Sequence, residues 1–200
     1  MKNKLAAWTA LVLGLLQLAV ILVSWIASAA MPFSRVRSLL GSEGIRWFFG
    51  HFTDNLLSPL LVWITVIAIA VGTLDHSGLT KAVRHPNLLN MRERFALRCV
   101  AMELLGFVAV MLLLTTLPHA VLLSVTGRLF PGSFSNSIIP YIAFTLCFVG
   151  VSYGILAGRL RSLTEVMQSL SCGIAQTAPL YLIYILGMQL YCSVLFVFPL

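Results

Sequence analysis

Five stretches of this sequence run for about twenty residues with almost no charge, the length a helix needs to cross a hydrocarbon core of roughly 30 Å at 1.5 Å per residue. Inside a membrane no water bonds to exposed N–H and C=O groups, so such runs must satisfy their own backbone as helices. Composition agrees. Hydrophobic residues make up 60% of the 200 and charged residues 10%, with a mean hydropathy of +0.98, whereas a soluble domain carries roughly a quarter charged residues. The pattern predicts an all-α polytopic integral membrane protein, with about five transmembrane helices plus amphipathic interfacial segments. It reads as a single transmembrane domain over residues 1–200, with spans near 5–30, 56–73, 95–117, 138–157 and 178–198.

The first run follows Lys2 and Lys4 and ends at Ala27-Ser28-Ala29, which imitates a secretory signal peptide. Its apolar part exceeds the roughly 7–15 residues that such a peptide uses, which favours a retained first helix. Pro59 and Pro140 stand near the starts of the second and fourth runs, where a missing N–H is harmless. The third stops at Pro118. Beyond Arg161 the remaining apolar sequence is too long for one crossing, so a break is expected in "SCGIAQTAP", where Gly173 weakens the helix and Pro179 removes a backbone bond. Ser162 and Glu165 have the S-x-x-E spacing of a capping box at the head of this segment.

Placing the N-terminus in the cytoplasm puts Lys2, Lys4, Lys81, Arg84, Arg92, Arg94, Arg98, Arg159 and Arg161 inside. Arg35, Arg37, Arg46 and Arg128 are then outside, nine against four of the thirteen Lys and Arg. That satisfies the positive-inside rule and predicts a cytoplasmic (inner) membrane protein whose C-terminus lies outside. The net charge of +7 then faces anionic headgroups of the lipid bilayer, and no basic run stands on a soluble domain to bind nucleic acid. Cys99, Cys147, Cys172 and Cys192 are scattered without CxxC or metal-ligand spacing and read as buried thiols.

Between the first two spans lies "GSEGIRWFFGHFTDN", residues 41–55, dense in aromatic and ionic side chains. Composition alone predicts an amphipathic helix in the outer interface, with Trp47, Phe48, Phe49 and Phe52 at headgroup level and Arg46 snorkelling. The order of residues says more. "SLLGSEGIRWFFGHFTDNLLSPL", followed by a small-residue helix and "GTLDHSGLTKAV", resembles the N-terminal part of the p-aminobenzoyl-glutamate transporter (AbgT) family, in which a Glu-Gly-hydrophobic-Arg-Trp element precedes a segment ending in Ser-Gly-Leu. A second block from Val125 to Tyr191 is similar to a later part of that family. Tyr153, Gly154, Ala157 and Gly158 match its Tyr-Gly-hydrophobic-x-Ala-Gly turn, and Ser137 to Pro140 match its Ser-Ile-hydrophobic-Pro. The resemblance covers well over half the chain. It implies a shortened relative, without the family's middle region and its C-terminal re-entrant hairpin, so the substrate- and ion-binding parts are not carried over.

The polar residues left in or beside the spans are few. Asp54 and Asn55 stand at the mouth of the second span, where they either draw in a cation or substrate or cap the helix. Asp75 and His76 end that span, as a proton relay or as a helix-end pair. Glu103 lies inside an apolar run, where ionisable groups are costly and often functional; its bland alternative is a neutralising contact with Arg98 or a neighbouring helix. Gln176, like Gln17 and Gln189, either lines a path or bonds helix to helix. Gly150, Gly154, Ala157 and Gly158 form a small-residue stripe suited to close helix approach.

Nothing has the form of a nucleophile with its base, a metal cluster or a phosphate loop, so the expectation is no enzyme, no cofactor and no metal. Two classes remain. One is an AbgT-like transporter-related protein that works only within a homo-oligomer or with partner membrane proteins; the other is a non-transporting accessory or scaffold subunit of a larger membrane complex.

Overall fold

The computed structural model of the chain describes residues 2–31, 36–116 and 133–199. The expectations placed on Arg35, Leu117, Pro118 and Arg128 lie outside the described residues. In chain order the helices are α1 (Lys2–Ala30), α2 (Ser42–Gly50), α3 (Phe52–Leu56), α4 (Pro59–Ser77), α5 (Leu79–Arg84), α6 (Met91–Thr116), α7 (Ser133–Leu156) and α8 (Leu163–Val197), with one 3₁₀ turn at Pro86–Leu88 between α5 and α6. No strand occurs among the described residues. Helices α1, α4, α6, α7 and α8 are each long and apolar enough to cross a membrane.

The chain divides into two compact units. Residues 1–61 and 177–200 form the first, and 62–176 the second. In the first unit Leu39, Phe196 and Val197 make a small core against Val20, Ile21, Val36 and Trp47. Ser24, fully buried on α1, accepts a bond from the Leu39 N–H at 3.1 Å and donates to Ile21 O at 2.8 Å. Trp47 on α2 stacks on Phe196 with ring centroids 4.4 Å apart, and the Arg37 guanidinium lies 5.6 Å from the same Phe196 ring. The aromatic segment is therefore two-sided: Trp47 packs inward on α8, while Phe49 and Phe52 are exposed.

In the second unit, Leu79, Ala82, Ala96, Val100, Val149 and Tyr153 form one core. Two glycine-bounded turns shape it. Gly158, at φ 77°, ends α7 in a Schellman arrangement, with Gly158 N bonding Ile155 O at 3.0 Å and Arg159 N reaching Gly154 O at 2.8 Å. Gly78, at φ 81°, ends α4 similarly, its N–H on Asp75 O at 3.2 Å, and the chain turns at once into α5. "Asp-His-Ser-Gly" is thus the last turn of α4 and its left-handed stop.

Of the small-residue stripe, Gly150 and Gly154 of α7 lie against α4, where a Cβ on Gly150 would meet Thr73 and Leu74 and one on Gly154 would meet Ser77 as well as Leu160, whereas a Cβ on Gly158 would meet Arg92 of α6. Helix α6 packs along α7 through Phe107, whose ring is edge-on to Tyr141, Phe144 and Phe148, and whose carbonyl accepts from the Tyr141 hydroxyl at 2.7 Å.

The break expected in "SCGIAQTAP" is absent: α8 is one helix of 35 residues with Pro179 inside it. Proline's fixed φ is already helical, and the backbone group it frees can be satisfied locally in a membrane helix, so the cost is tolerated. Gly173 is needed for contact, not bending. Its Cα side faces Gly72 and the Ala68 carbonyl of α4, a crossing that any side chain would block. At 1.5 Å per residue α8 measures about 52 Å, which takes it beyond a core of roughly 30 Å. Its capping box is present with a one-residue shift. Ser162 Oγ accepts from Glu165 N at 3.2 Å, while the Glu165 carboxylate accepts from Arg161 N at 2.5 Å instead of from Ser162 N.

Candidate functional site

Polar side chains gather in two places, one in each unit. In the first unit they lie along α8 at Tyr184, Gln189 and Ser193, of which Gln189 and Ser193 share one side of the helix with Phe196 while Tyr184 points to another. Tyr184 donates its hydroxyl hydrogen to Leu56 O at 2.8 Å, and its oxygen lies 2.8 Å from Ser58 Oγ. One turn and a half further on, Gln189 Oε1 accepts from Asn55 Nδ2 at 3.3 Å. Gln17 of α1 donates Nε2 to Ser193 Oγ at 2.9 Å. Two buried atoms of this seam are left without a hydrogen-bond partner among the described residues, the acceptor Gln17 Oε1 and the donor Gln189 Nε2.

In the second unit the focus is Glu103 on α6. Ser152 of α7 donates its hydroxyl to Glu103 Oε1 at 2.8 Å, and the second carboxylate oxygen, Oε2, is buried with no partner among the described residues. Of the two contacts foreseen for Glu103, the one observed is with a polar group on a neighbouring helix, the Ser152 hydroxyl, not with Arg98. Toward the N-terminus of α6, Glu93 pairs with Arg159 at 2.9 Å, and Arg92 donates Nε to Leu156 O at 2.8 Å. These two contacts tie the α7–α8 turn to the head of α6. On the opposite side of α7, Thr73 Oγ1 bonds Ile69 O at 2.7 Å and Cys172 Sγ donates to Gly72 O at 3.2 Å. All four cysteines are free thiols in partly buried positions.

The six residues singled out from sequence fare differently. Asn55 and Glu103 make hydrogen bonds between helices. Asp54, in the first turn of α3, is exposed, and neither it nor Asn55 caps α4. Asp75 and His76 are exposed in the last turn of α4, and Gln176 is exposed on α8. No hydrogen bond or ion pair joins any two of the six side chains among the described residues.

Sequence reasoning missed Ser58, Tyr184, Ser193 and Ser152. The three-and-four spacing of Gln189, Ser193 and Phe196 was the available signal for the first-unit seam, but a lone serine in an apolar run gives none. Among the described residues no group of three or more His, Cys, Asp or Glu is placed to hold a metal ion.

The family model of the AbgT putative transporter family matches residues 47–195. No curated protein and no solved structure matches the chain.

Proposed function

The chain belongs to the AbgT family, a transporter family, and is a multi-pass membrane protein; from that premise we propose that it contributes to solute transport only within an assembly of several chains. The observation that carries this reading is Glu103. A carboxylate within an apolar helix is costly unless its oxygens are bonded, and the described residues of one chain supply a partner to Oε1 alone. Transport sites bring several polar groups together to replace the hydration of substrate and ion. Asp54 in the first unit is exposed, and in the second unit Asp75, His76 and Gln176 are exposed and none of them bonds to Glu103 among the described residues. A second copy or a related membrane protein packed on α6, few of whose apolar residues are buried within the chain, would supply what is missing.

The accessory-subunit reading draws on a different observation. Asn55–Gln189, Gln17–Ser193 and Tyr184–Leu56 are hydrogen bonds between segments of one chain, which serve cohesion and need no solute. Reconstitution at graded density separates the two. The purified chain goes into liposomes with an imposed proton or sodium gradient and an aminobenzoyl-glutamate-like anion. Uptake should be absent at less than one chain per vesicle and rise faster than linearly above it. Uptake linear in protein at the lowest density would overturn the assembly reading, whereas no flux at any density, with a second protein co-extracted in mild detergent, would establish the accessory one.

The charge asymmetry supports an inner-membrane orientation with the N-terminus and Lys81 to Arg94 in the cytoplasm and the C-terminus outside.

A further inference from the structure

Along the second unit runs an open groove of about 660 Å³. Its walls come from α5, α6 and α7, with Leu74 of α4, and include Leu79, Val83, Leu97, Val100, Leu104 and Val149. Apart from Thr80 and Arg84 at one end, every lining side chain is hydrocarbon. A second cavity of about 280 Å³ shares Leu104 and Leu146 with the first and continues past Phe107 to Leu112. Together they follow α6 from Leu97 to Leu112, about 22 Å at 1.5 Å per residue. That is longer than one leaflet's half of a core of roughly 30 Å.

The two ends of this track differ in charge. Residues 79–98 contain five basic side chains, Lys81, Arg84, Arg92, Arg94 and Arg98, and one acidic one, Glu93. Glu93 is already held by Arg159, and Arg92 and Arg94 donate to backbone carbonyls. Arg84 is exposed at the groove's end, with no ion pair or hydrogen bond to its guanidinium among the described residues. The Thr80 hydroxyl lines the same end. The other end, around Met111 and Leu112, carries no charge among the described residues.

We infer that this groove binds an anionic phospholipid, with one acyl chain laid along α6 and the phosphate at Arg84 and Thr80. A long apolar trough with an exposed cation at one end matches a molecule that is an acyl chain joined to an anionic head. Basic pockets between membrane helices bind such headgroups, and a volume of several hundred Å³ is within the range of ligand sites. A zwitterionic lipid would fill the trough equally well but gain less from Arg84.

The full chain in mild detergent, incubated with phosphatidylglycerol and phosphatidylcholine of matched chains, tests this by native mass spectrometry. Phosphatidylglycerol should be retained about fivefold over phosphatidylcholine, the ratio expected from the ~1 kcal/mol that one basic residue contributes beside an anionic lipid. Arg84→Gln should remove that preference while Arg46→Gln, on the exposed surface of α2, preserves it. Ala101→Phe, which fills the groove, should lower retention of both lipids; Arg84→Gln, a surface change, carries the test even if Ala101→Phe does not fold. Equal retention of the two lipids by the unmodified chain, or an Arg84→Gln variant that keeps the preference, would overturn the assignment. So would a lipid-free dimer that Ala101→Phe dissociates, because the groove would then hold a second copy of this chain.

Discussion

Replacing Gly173 by alanine should unfold the second unit at a markedly lower temperature, although alanine is the better helix former. A Cβ built at Gly173 would run into the Ala68 carbonyl, lying 2.7 Å from its carbon, and stand 3.0 Å from the Gly72 Cα. All of these are backbone atoms of α4, so no side chain can swing aside and the helices must separate. Overpacking costs about 1–3 kcal/mol, and a backbone obstacle places Gly173→Ala at about 3. For a chain of this size each kcal/mol moves Tm by about 2–4 °C, which makes the fall about 6–12 °C.

Gly106 is the internal control. It too lies in a long apolar helix, α6, but nothing stands within 4 Å of its Cβ position. Gly106→Ala should therefore gain about 0.5–1 kcal/mol of helix propensity and raise Tm by about 1–4 °C. Thermal unfolding of both variants in one detergent, followed by circular dichroism, is the assay. Shifts of the same sign, or a Gly173→Ala variant as stable as the parent, would show that α4 and α8 do not cross at these glycines.

The polar contacts give further tests. Ser152→Ala strips Glu103 of its hydrogen bond and should cost about 1–3 kcal/mol, whereas Ser152→Ala combined with Glu103→Leu should recover most of it, because an apolar pair leaves nothing unsatisfied; a double variant less stable than Ser152→Ala alone would contradict this. Tyr184→Phe leaves Leu56 O without its donor and should cost about 1–2 kcal/mol, measured by thermal unfolding, with Tyr191→Phe as the exposed comparison near zero. Cysteine introduced at Lys81, in a chain freed of its four native cysteines, should react with a membrane-impermeant maleimide only after the cytoplasmic face is opened, as the nine-to-four charge split predicts.

Helix number was legible in the sequence because apolar length is a local property: twenty residues without charge can only be helical in lipid, whatever packs beside them. The stop of α4 at Ser77-Gly78 and of α7 at Ala157-Gly158 was equally local, since glycine tolerates the left-handed conformation that both turns adopt. The family was legible for a related reason, as its motifs lie in these same caps and glycines. Pro179 shows where local reading failed. Gly173 and Pro179 together predict a break when helix propensity is weighed alone, yet α8 continues because Gly173 is occupied by contact with α4, one hundred residues earlier in the chain.

The fate of the polar residues was settled by tertiary structure. Asp54, Asn55, Asp75, His76, Glu103 and Gln176 look alike in sequence, as polar groups in or beside apolar runs. What separates them is the neighbouring helix. Asn55 meets Gln189 and Glu103 meets Ser152, while the other four are exposed. A hydrogen bond needs a partner within about 3 Å, and residues 49 or 134 positions away reach that distance only through helix packing. The same holds for the groove beside Arg84. Its apolar walls and its exposed guanidinium come from helices brought together by the core around Tyr153, a juxtaposition that no single stretch of sequence contains.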